Sequence, residues 1–439
     1  MEERPNVVLI TIDALRADHT GFQGKNNKTT PNLNKLTQDS VVFTEAYSNG
    51  SHTATSFPAI FSSTYASMHG GHKNLSNKVT MLAEAMSESG FSTAGFHSNP
   101  YLSKFYHYDK GFNTFYDSMT SRSSRFSQRF FDNLVRKASE KERYKSLLSF
   151  CIRVLSYFKP YEIPYDRGEY ITQKALNWLR GCDSRFFLWI HYMDAHWPWI
   201  PPLDFLGGKT TEKEAYKLWW KMLIDSSSIT DEEVGKMIEL YDYDIGYMDH
   251  NLGIFINKLN DMGLYDDSVI VVTSDHGEEF NEHGDVGHHN FKLYKELVHI
   301  PFVIRYPKGA HRGKVVDDLI CHLDLAPTIL KLVNVDPPEN WIGSDLTSII
   351  NCQAESEKEG IIIEGKVRQG HNTVAYRTRK WNYIIDEDKM TRELYDLKSD
   401  PNEKINLSSI LPDKVDEFEA EISKHLSSNS GVTITLSKT

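Results

Sequence analysis

An α/β fold is what this sequence predicts: a mostly parallel sheet flanked by helices, with a small antiparallel sheet near the C-terminus. Three observations carry that expectation. Asn6–Ile12 (NVVLITI) and Ser268–Thr273 (SVIVVT) are near-continuous apolar runs, the pattern of strands covered on both faces. Segments with apolar residues at helical spacing lie between such runs, the longest from Thr230 to Leu259. Late in the chain Ile361–Glu364, Val374–Arg377 and Trp381–Ile385 alternate, as strands of a small antiparallel sheet do. The expected division is an α/β domain over residues 1–350, interrupted by a helical insertion at about 121–168, and a small sheet-plus-helix subdomain over 351–439.

Bulk properties narrow the function classes. A chain of 439 residues buries a large core, and its formal net charge of -11 argues against a nucleic-acid partner. The four cysteines, Cys151, Cys182, Cys321 and Cys352, are widely spaced without a CxxC pair, which suits a reducing compartment rather than a disulfide or zinc framework. MEERPNVVLITID leads straight from charge into a strand, with no signal-peptide pattern, and no apolar stretch is long enough to be a transmembrane segment. A cytoplasmic location is the expectation.

Taken in order, the first apolar strand ends at Asp13. A carboxylate at the C-terminal end of a parallel strand lies where open α/β sheets hold ligands, and it equally suits a helix N-cap. Thr30–Phe43 reads as a helix and a short strand. The stretch Ser51–Gly70, SHTATSFPAIFSSTYASMHG, then opens with Ser51, Thr53, Thr55 and Ser56 as candidate N-caps and continues with Ala54, Phe57, Ile60 and Phe61 at helical spacing. A hydroxyl at the positive end of a helix meets a field that stabilises both an anionic ester and an alkoxide. Met81–Gly90 predicts a helix, Ser92–His97 a strand, and Asn99-Pro100 a turn.

The basic segment that follows carries Phe130, Phe131, Leu134, Leu147, Leu148, Ile152 and Leu155 at helical intervals. It reads as inserted amphipathic helices, either a solvated excursion or a cap that recruits a bulky anionic ligand such as a glycan or a lipid head group. Tyr170–Arg180 predicts a helix and Phe186–Ile190 a strand, which runs into HYMDAHWPW with His191, Asp194 and His196 together. The strand Ser268–Thr273 ends in SDHGEE, and His283, His288 and His289 follow in the next loop. Asp275 and His276 offer a hard oxygen and an imidazole to one cation. FVIRY predicts a further strand, Leu323–Val333 a helix and Asp413–Leu426 the last helix.

The segments VLITIDALRADH, FLWIHYMDAHWPW, VVTSDHGEEFNEHGDVGHH, CHLDLAPTIL and ELYDLKSDPNEKINL, in this order, resemble the sulfatase family of the alkaline phosphatase superfamily over nearly the whole chain. The resemblance implies an alkaline-phosphatase-like fold with the larger domain catalytic. It also implies a metal-dependent hydrolase of sulfate esters, or of related phosphate or phosphonate esters, on small molecules or glycans. Aligning Tyr65 and His69-Gly70 with the family's Arg-Tyr and His-Gly sets Thr53 on the nucleophile and Ser56 on the following Ser. An alternative register, Ser56 as nucleophile with Pro58 two places on, loses those landmarks.

The chain also departs from the family. Thr at the nucleophile position cannot be oxidised to formylglycine, the usual Arg is Phe57, and the second carboxylate beside Asp13 is Ala14. The Thr is similar to that of phosphoethanolamine and phosphoglycerol transferases, while the implied single-metal site looks like that of phosphonate monoester hydrolases. One divalent ion, Zn, Mn, Ca or Mg, would be held by Asp13, Thr53, Asp275 and His276. Thr53, His196 and His288 are then the expected catalytic residues, and Ser56, His191 and His289 the expected substrate contacts. A transferase acting on a glycan or lipid, and a catalytically silent binding protein, are the two alternatives.

Overall fold

Strand β1 (Asn6–Ile12) is buried at every residue, because its alternate side chains enter different cores. Val8, Ile10 and Ile12 join a cluster built with Ile190, Tyr241 and Ile245, whereas Val7 and Leu9 join one with Phe57, Phe61 and Trp189. A strand wetted on one face would alternate polar and apolar, so two covered faces explain the unbroken apolar run. The computed structural model describes residues 4–24, 28–70, 75–76, 78–118, 163–208, 210–288, 291–353, 356, 358–368 and 371–430. His289 and the expected inserted helices within 121–162 lie outside the described residues.

The other strands of the central sheet are β2 (Val41–Phe43), β3 (Ser92–Phe96), β4 (Thr114–Tyr116), β5 (Phe186–Tyr192), β6 (Ser268–Ser274), β7 (Phe302–Arg305) and β8 (Lys314–Val316). Their order is β8-β2-β7-β6-β1-β5-β3-β4. Every pairing is parallel except the two made by β7, which runs against both β2 and β6. The mostly parallel α/β sheet is therefore as expected. The outermost strands β4 and β8 were not read from the sequence, since three residues carry too little periodicity to mark them.

Register sets the position of the functional residues. Ile12 lies level with Tyr192 on β5 and with Ser274 on β6. The next residues, Asp13 and Asp275, therefore leave adjacent strands at one height, held by Asp13 N–H on the Tyr192 carbonyl (2.8 Å) and Asp275 N–H on the Ile12 carbonyl (3.3 Å).

A second sheet follows as an antiparallel meander, Ile361–Arg368, His371–Arg377, Trp381–Asp386 and Thr391–Asp396. The sequence had marked only the first three of these; TRELYD is too polar to stand out. One face packs on the helix Pro412–Ser430 through Val415, Phe418, Ile422 and Leu426. The other packs against Tyr47, Ala59 and Leu297 of the larger body. Helix Glu212–Asp225, also unread in the sequence, is closed by a capping box between Thr211 and Glu214 and lies against the long helix Asp231–Asp261. Among the described residues no helix is long and apolar enough to cross a membrane.

Candidate active site

Three buried ligand atoms face one point at the C-terminal ends of β1 and β6. The side chains of Asp13, Asp275 and His276 are completely buried, and their ligand atoms lie within 4.8 Å of one another. His276 Nε2 is 3.6 Å from Asp13 Oδ1 and 3.6 Å from Asp275 Oδ2. None of these three atoms has a hydrogen-bond partner among the described residues. Burying two carboxylate oxygens and an imidazole nitrogen unpaired is costly, and a cation at their centre would remove that cost. The donor set thus fits a divalent ion.

The surrounding bonds orient these atoms. Asp275 Oδ1 accepts the N–H groups of Ala14 (3.1 Å) and His276 (2.9 Å), which turns Oδ2 inward. His276 Nδ1–H donates to the Gly277 carbonyl at 2.8 Å, leaving the Nε2 lone pair for a ligand. Ala14 has φ 57, a left-handed conformation that costs strain and aims its N–H at Asp275. Burial, and next the nearby Asp13 charge, push Asp275 up to about 6. Burial would raise Asp13 too, but His196, His191 and His276 together hold it below the ordinary carboxylate range.

Thr53 is the first residue of helix Thr53–Ser62, and its Oγ1 lies 3.5 Å from Asp13 Oδ2. None of the four hydroxyl residues expected as N-caps holds that place. His52 does, in extended conformation, and its side chain makes no capping hydrogen bond. Thr55 Oγ1 instead donates back to the His52 carbonyl, and Ser56 Oγ to the Thr53 carbonyl at 3.2 Å. The expected substrate contact Ser56 is thus turned into its own helix and fully buried.

His191 is likewise behind the site rather than in front of it. Its Nε2 meets Asp13 Oδ2 at 3.2 Å, and its Nδ1 meets Thr11 Oγ1 at 2.9 Å. Since Trp189 Nε1–H donates to Thr11 Oγ1 (2.9 Å), that hydroxyl is free to give its proton to Nδ1, which makes Nε2–H the donor to Asp13. Its place is explained by strand geometry: on β5 with both faces covered, nothing in the sequence tells which way a side chain points. Phe57 packs edge-on against His191 and Trp189 with ring centroids 5.3 and 5.9 Å away.

His196 and His288 complete the cluster. Their rings are 5.0 Å apart, and His288 lies 4.5 Å from the ring of His276. His288 Nδ1 pairs with Glu278 Oε1 at 2.7 Å, and His196 Nδ1 with the Trp197 carbonyl at 2.5 Å. Burial raises the Glu278 carboxyl well above its ordinary range, and the Asp13 charge adds to that. A ring series continues outward from His288 through Trp197 (6.3 Å), Trp219 (6.4 Å further) and Trp220 (4.8 Å further).

Two contributors were missed in the sequence, Glu278 and Asn99. Asn99, read there only as part of a turn, donates from Nδ2 to Asp13 Oδ2 at 2.7 Å and to Thr53 Oγ1 at 3.3 Å. The signal that marked Asp13 and Asp275, a polar residue just beyond a buried strand, was present for it as well.

The sequence profile of the sulfatase family matches residues 5–335, and that of the N-sulphoglucosamine sulphohydrolase C-terminal region matches residues 282–430. An arylsulfatase of Clostridium perfringens is 24% identical over 444 residues, spanning 92% of this chain and 90% of that one. In fold, the chain resembles the phosphonate monoester hydrolase of Agrobacterium radiobacter with a TM-score of 0.74 at 19% identity, covering 97% of this chain and 96% of the other. It also resembles a protein solved with its substrate D-glucosamine-2-N,6-O-disulfate, with a TM-score of 0.70 at 18% identity and 98% coverage of each chain. A profile match running over residues 5–335, three quarters of the sequence, makes this chain a member of the sulfatase family of ester hydrolases, within the alkaline phosphatase superfamily.

Proposed function

We infer that the chain hydrolyses sulfate esters, or the corresponding phosphate or phosphonate esters, by a double displacement in which Thr53 is the nucleophile. The observation that carries this is the convergence of the unpaired Asp13, Asp275 and His276 atoms beside Thr53 Oγ1. Asp13, Asp275, His276 and the Thr53 oxygen would hold one divalent ion, and that ion supplies positive charge for the ester oxygens and for the attacking hydroxyl. The imidazole among the ligands favours zinc or manganese over calcium or magnesium. Thr53 is not convertible to formylglycine, so the intermediate is a threonine ester.

Each protein group then has a definite task. The N-terminus of Thr53–Ser62 receives a nonbridging oxygen on the backbone N–H groups of Thr53 and Ala54, since those of Thr55 and Ser56 already donate to the His52 carbonyl. Thr53 Oγ1 attacks sulfur or phosphorus, and the bond to the leaving alcohol breaks. His288, its Nδ1–H held by Glu278, or the neighbouring His196, protonates that alcohol. His191 keeps Asp13 in place from behind. The rings of Trp197, Trp219 and Trp220 run on from the acid histidine, which suits a leaving group with a ring to stack, a sugar of a glycan ester above all. A reducing, cytoplasmic setting suits the thiols: among the described residues Cys182, Cys321 and Cys352 form no disulfide.

The test assays purified protein against paired 4-nitrophenyl sulfate, phosphate and phenylphosphonate with each metal in turn, with Thr53→Ala in parallel. Loss of at least about 10³-fold in kcat/KM is expected from that substitution. Product formation that rises with added acceptor alcohol would favour the transferase, and absence of turnover on all esters the silent binding protein. A fully active Thr53→Ala protein would overturn the mechanism.

A further inference from the structure

We propose that the Asn99 amide is a catalytic donor to Thr53 Oγ1 and acts chiefly in the second half of the reaction, release of the group from threonine. The proposal rests on the reading of Thr53 as nucleophile. Asn99 is 2% exposed, and its Oδ1 accepts the Tyr101 N–H at 2.9 Å. With a donor on Oδ1 and the Asp13 carboxylate 2.7 Å from Nδ2, the amide has one consistent orientation. Its two N–H bonds are divided between Asp13 Oδ2 and Thr53 Oγ1, the latter 3.3 Å away.

That division has different consequences for the two chemical steps. In the first, Thr53 Oγ1 attacks, and an N–H hydrogen bond to an attacking oxygen does little to help it. In the second, the oxygen of water forms a bond to sulfur or phosphorus while the bond from that atom to Thr53 Oγ1 breaks. The electron pair of the broken bond moves to Oγ1. Water gives up one proton, one proton ends on Oγ1 to restore the hydroxyl, and the product leaves with the new oxygen. Negative charge therefore develops on Oγ1 in that step, and the Asn99 N–H already faces it, with no reorganisation. A threonine ester carries no neighbouring hydroxyl that could expel the group, so the charge falls on this one oxygen, where the Asn99 N–H adds to the positive charge that an ion at Asp13, Asp275 and His276 would supply. Asn99 transfers no proton.

The signature is accumulation of the threonine ester. Metal-loaded wild-type protein, Asn99→Ala and Asn99→Ser, which keeps an O–H donor, are mixed with 4-nitrophenyl sulfate and phosphate and quenched at early times. Nitrophenol release and the intact mass of the Thr53 peptide are read together, with bound metal and melting temperature as controls of folding. Asn99→Ala is expected to show a burst of about one equivalent of nitrophenol and an adducted Thr53 peptide. Its steady-state rate should fall about 10²-fold, with a much smaller fall in the burst rate and partial recovery in Asn99→Ser. Equal falls in both phases without adduct in either variant that binds metal would overturn the proposal while leaving Thr53 as nucleophile. Unimpaired turnover by Thr53→Ala, run alongside, would overturn both.

Discussion

Asp194, two residues before His196, shows how a single side chain sets a pH response. It is buried, its Oδ2 has no hydrogen-bond partner among the described residues, and burial pushes its carboxyl up to about 7 although Arg167 pulls the other way. The folded chain thus keeps a proton that the unfolded chain, near 3.8, has already lost. Stability falls as pH rises between those two values and stays low above them. Asp194→Asn should flatten that decline and stabilise the protein at pH 8 by on the order of a few kcal/mol, with little effect at acid pH. Melting temperature measured against pH for both proteins checks this, and parallel curves would refute it. Other single residues differed in how well the sequence exposed them. Asp13, Asp275 and His276 stood out because each ends an apolar run, where a polar side chain has no packing role. Asn99 did not, since Asn-Pro also satisfies a turn. His191 and Ser56 were seen as polar groups near the site, but their direction depends on β5 being covered on both faces and on a hydroxyl folding back onto its own helix.

At the scale of elements, the loop DPNEKINL fastens the small sheet to the active-site loop through Glu403. This residue is buried with φ 56, and its Oε1 accepts Arg377 Nη1 and Asn382 Nδ2, each at 2.8 Å. Its Oε2 accepts the Lys295 N–H at 2.6 Å, and its carbonyl accepts His283 Nε2–H at 2.9 Å. His283 also donates from Nδ1 to Glu296 at 2.6 Å; despite burial, that pairing raises the pKa of its imidazole. His283 therefore shapes the loop rather than meeting a substrate. Removing Glu403 leaves the Arg377 guanidinium buried without its partner, so Glu403→Ala should cost about 3–5 kcal/mol in urea unfolding. A loss under about 1 kcal/mol would mean that the hub is dispensable. The motif was visible as a signature, but its purpose was not, because the partners of Glu403 come from two segments distant in sequence. Buried strands with unbroken apolar runs were found, whereas the helix Glu212–Asp225, the three-residue edge strands and the polar strand Thr391–Asp396 were not.

For the whole molecule, the central question is what the unpaired ligand atoms do to global stability. A cation that binds only the folded chain adds RT ln(1 + [L]/Kd), about 2.7 kcal/mol when the ion is at 100 times its Kd. Chelator treatment should therefore lower the melting temperature, and titrating zinc or manganese back should raise it in a concentration-dependent way. A melting temperature indifferent to both would count against a cation at Asp13, Asp275 and His276. The α/β class was legible because buried parallel strands write themselves as unbroken apolar runs. The strand order β8-β2-β7-β6-β1-β5-β3-β4 was not, since neighbours in the sheet are far apart along the chain.

The level alignment of Ile12 with Ser274 has one more consequence. Loops between the functional residues are free to lengthen or shorten over evolutionary time, because each strand delivers its terminal side chain to the same height regardless. The interior of β1 or β6 has no such latitude. Deleting one residue there would rotate every later side chain to the opposite face and carry the terminal aspartate away from its counterpart. Tolerance to insertions and deletions should therefore be lowest in those two short segments, although neither contains a residue that reacts.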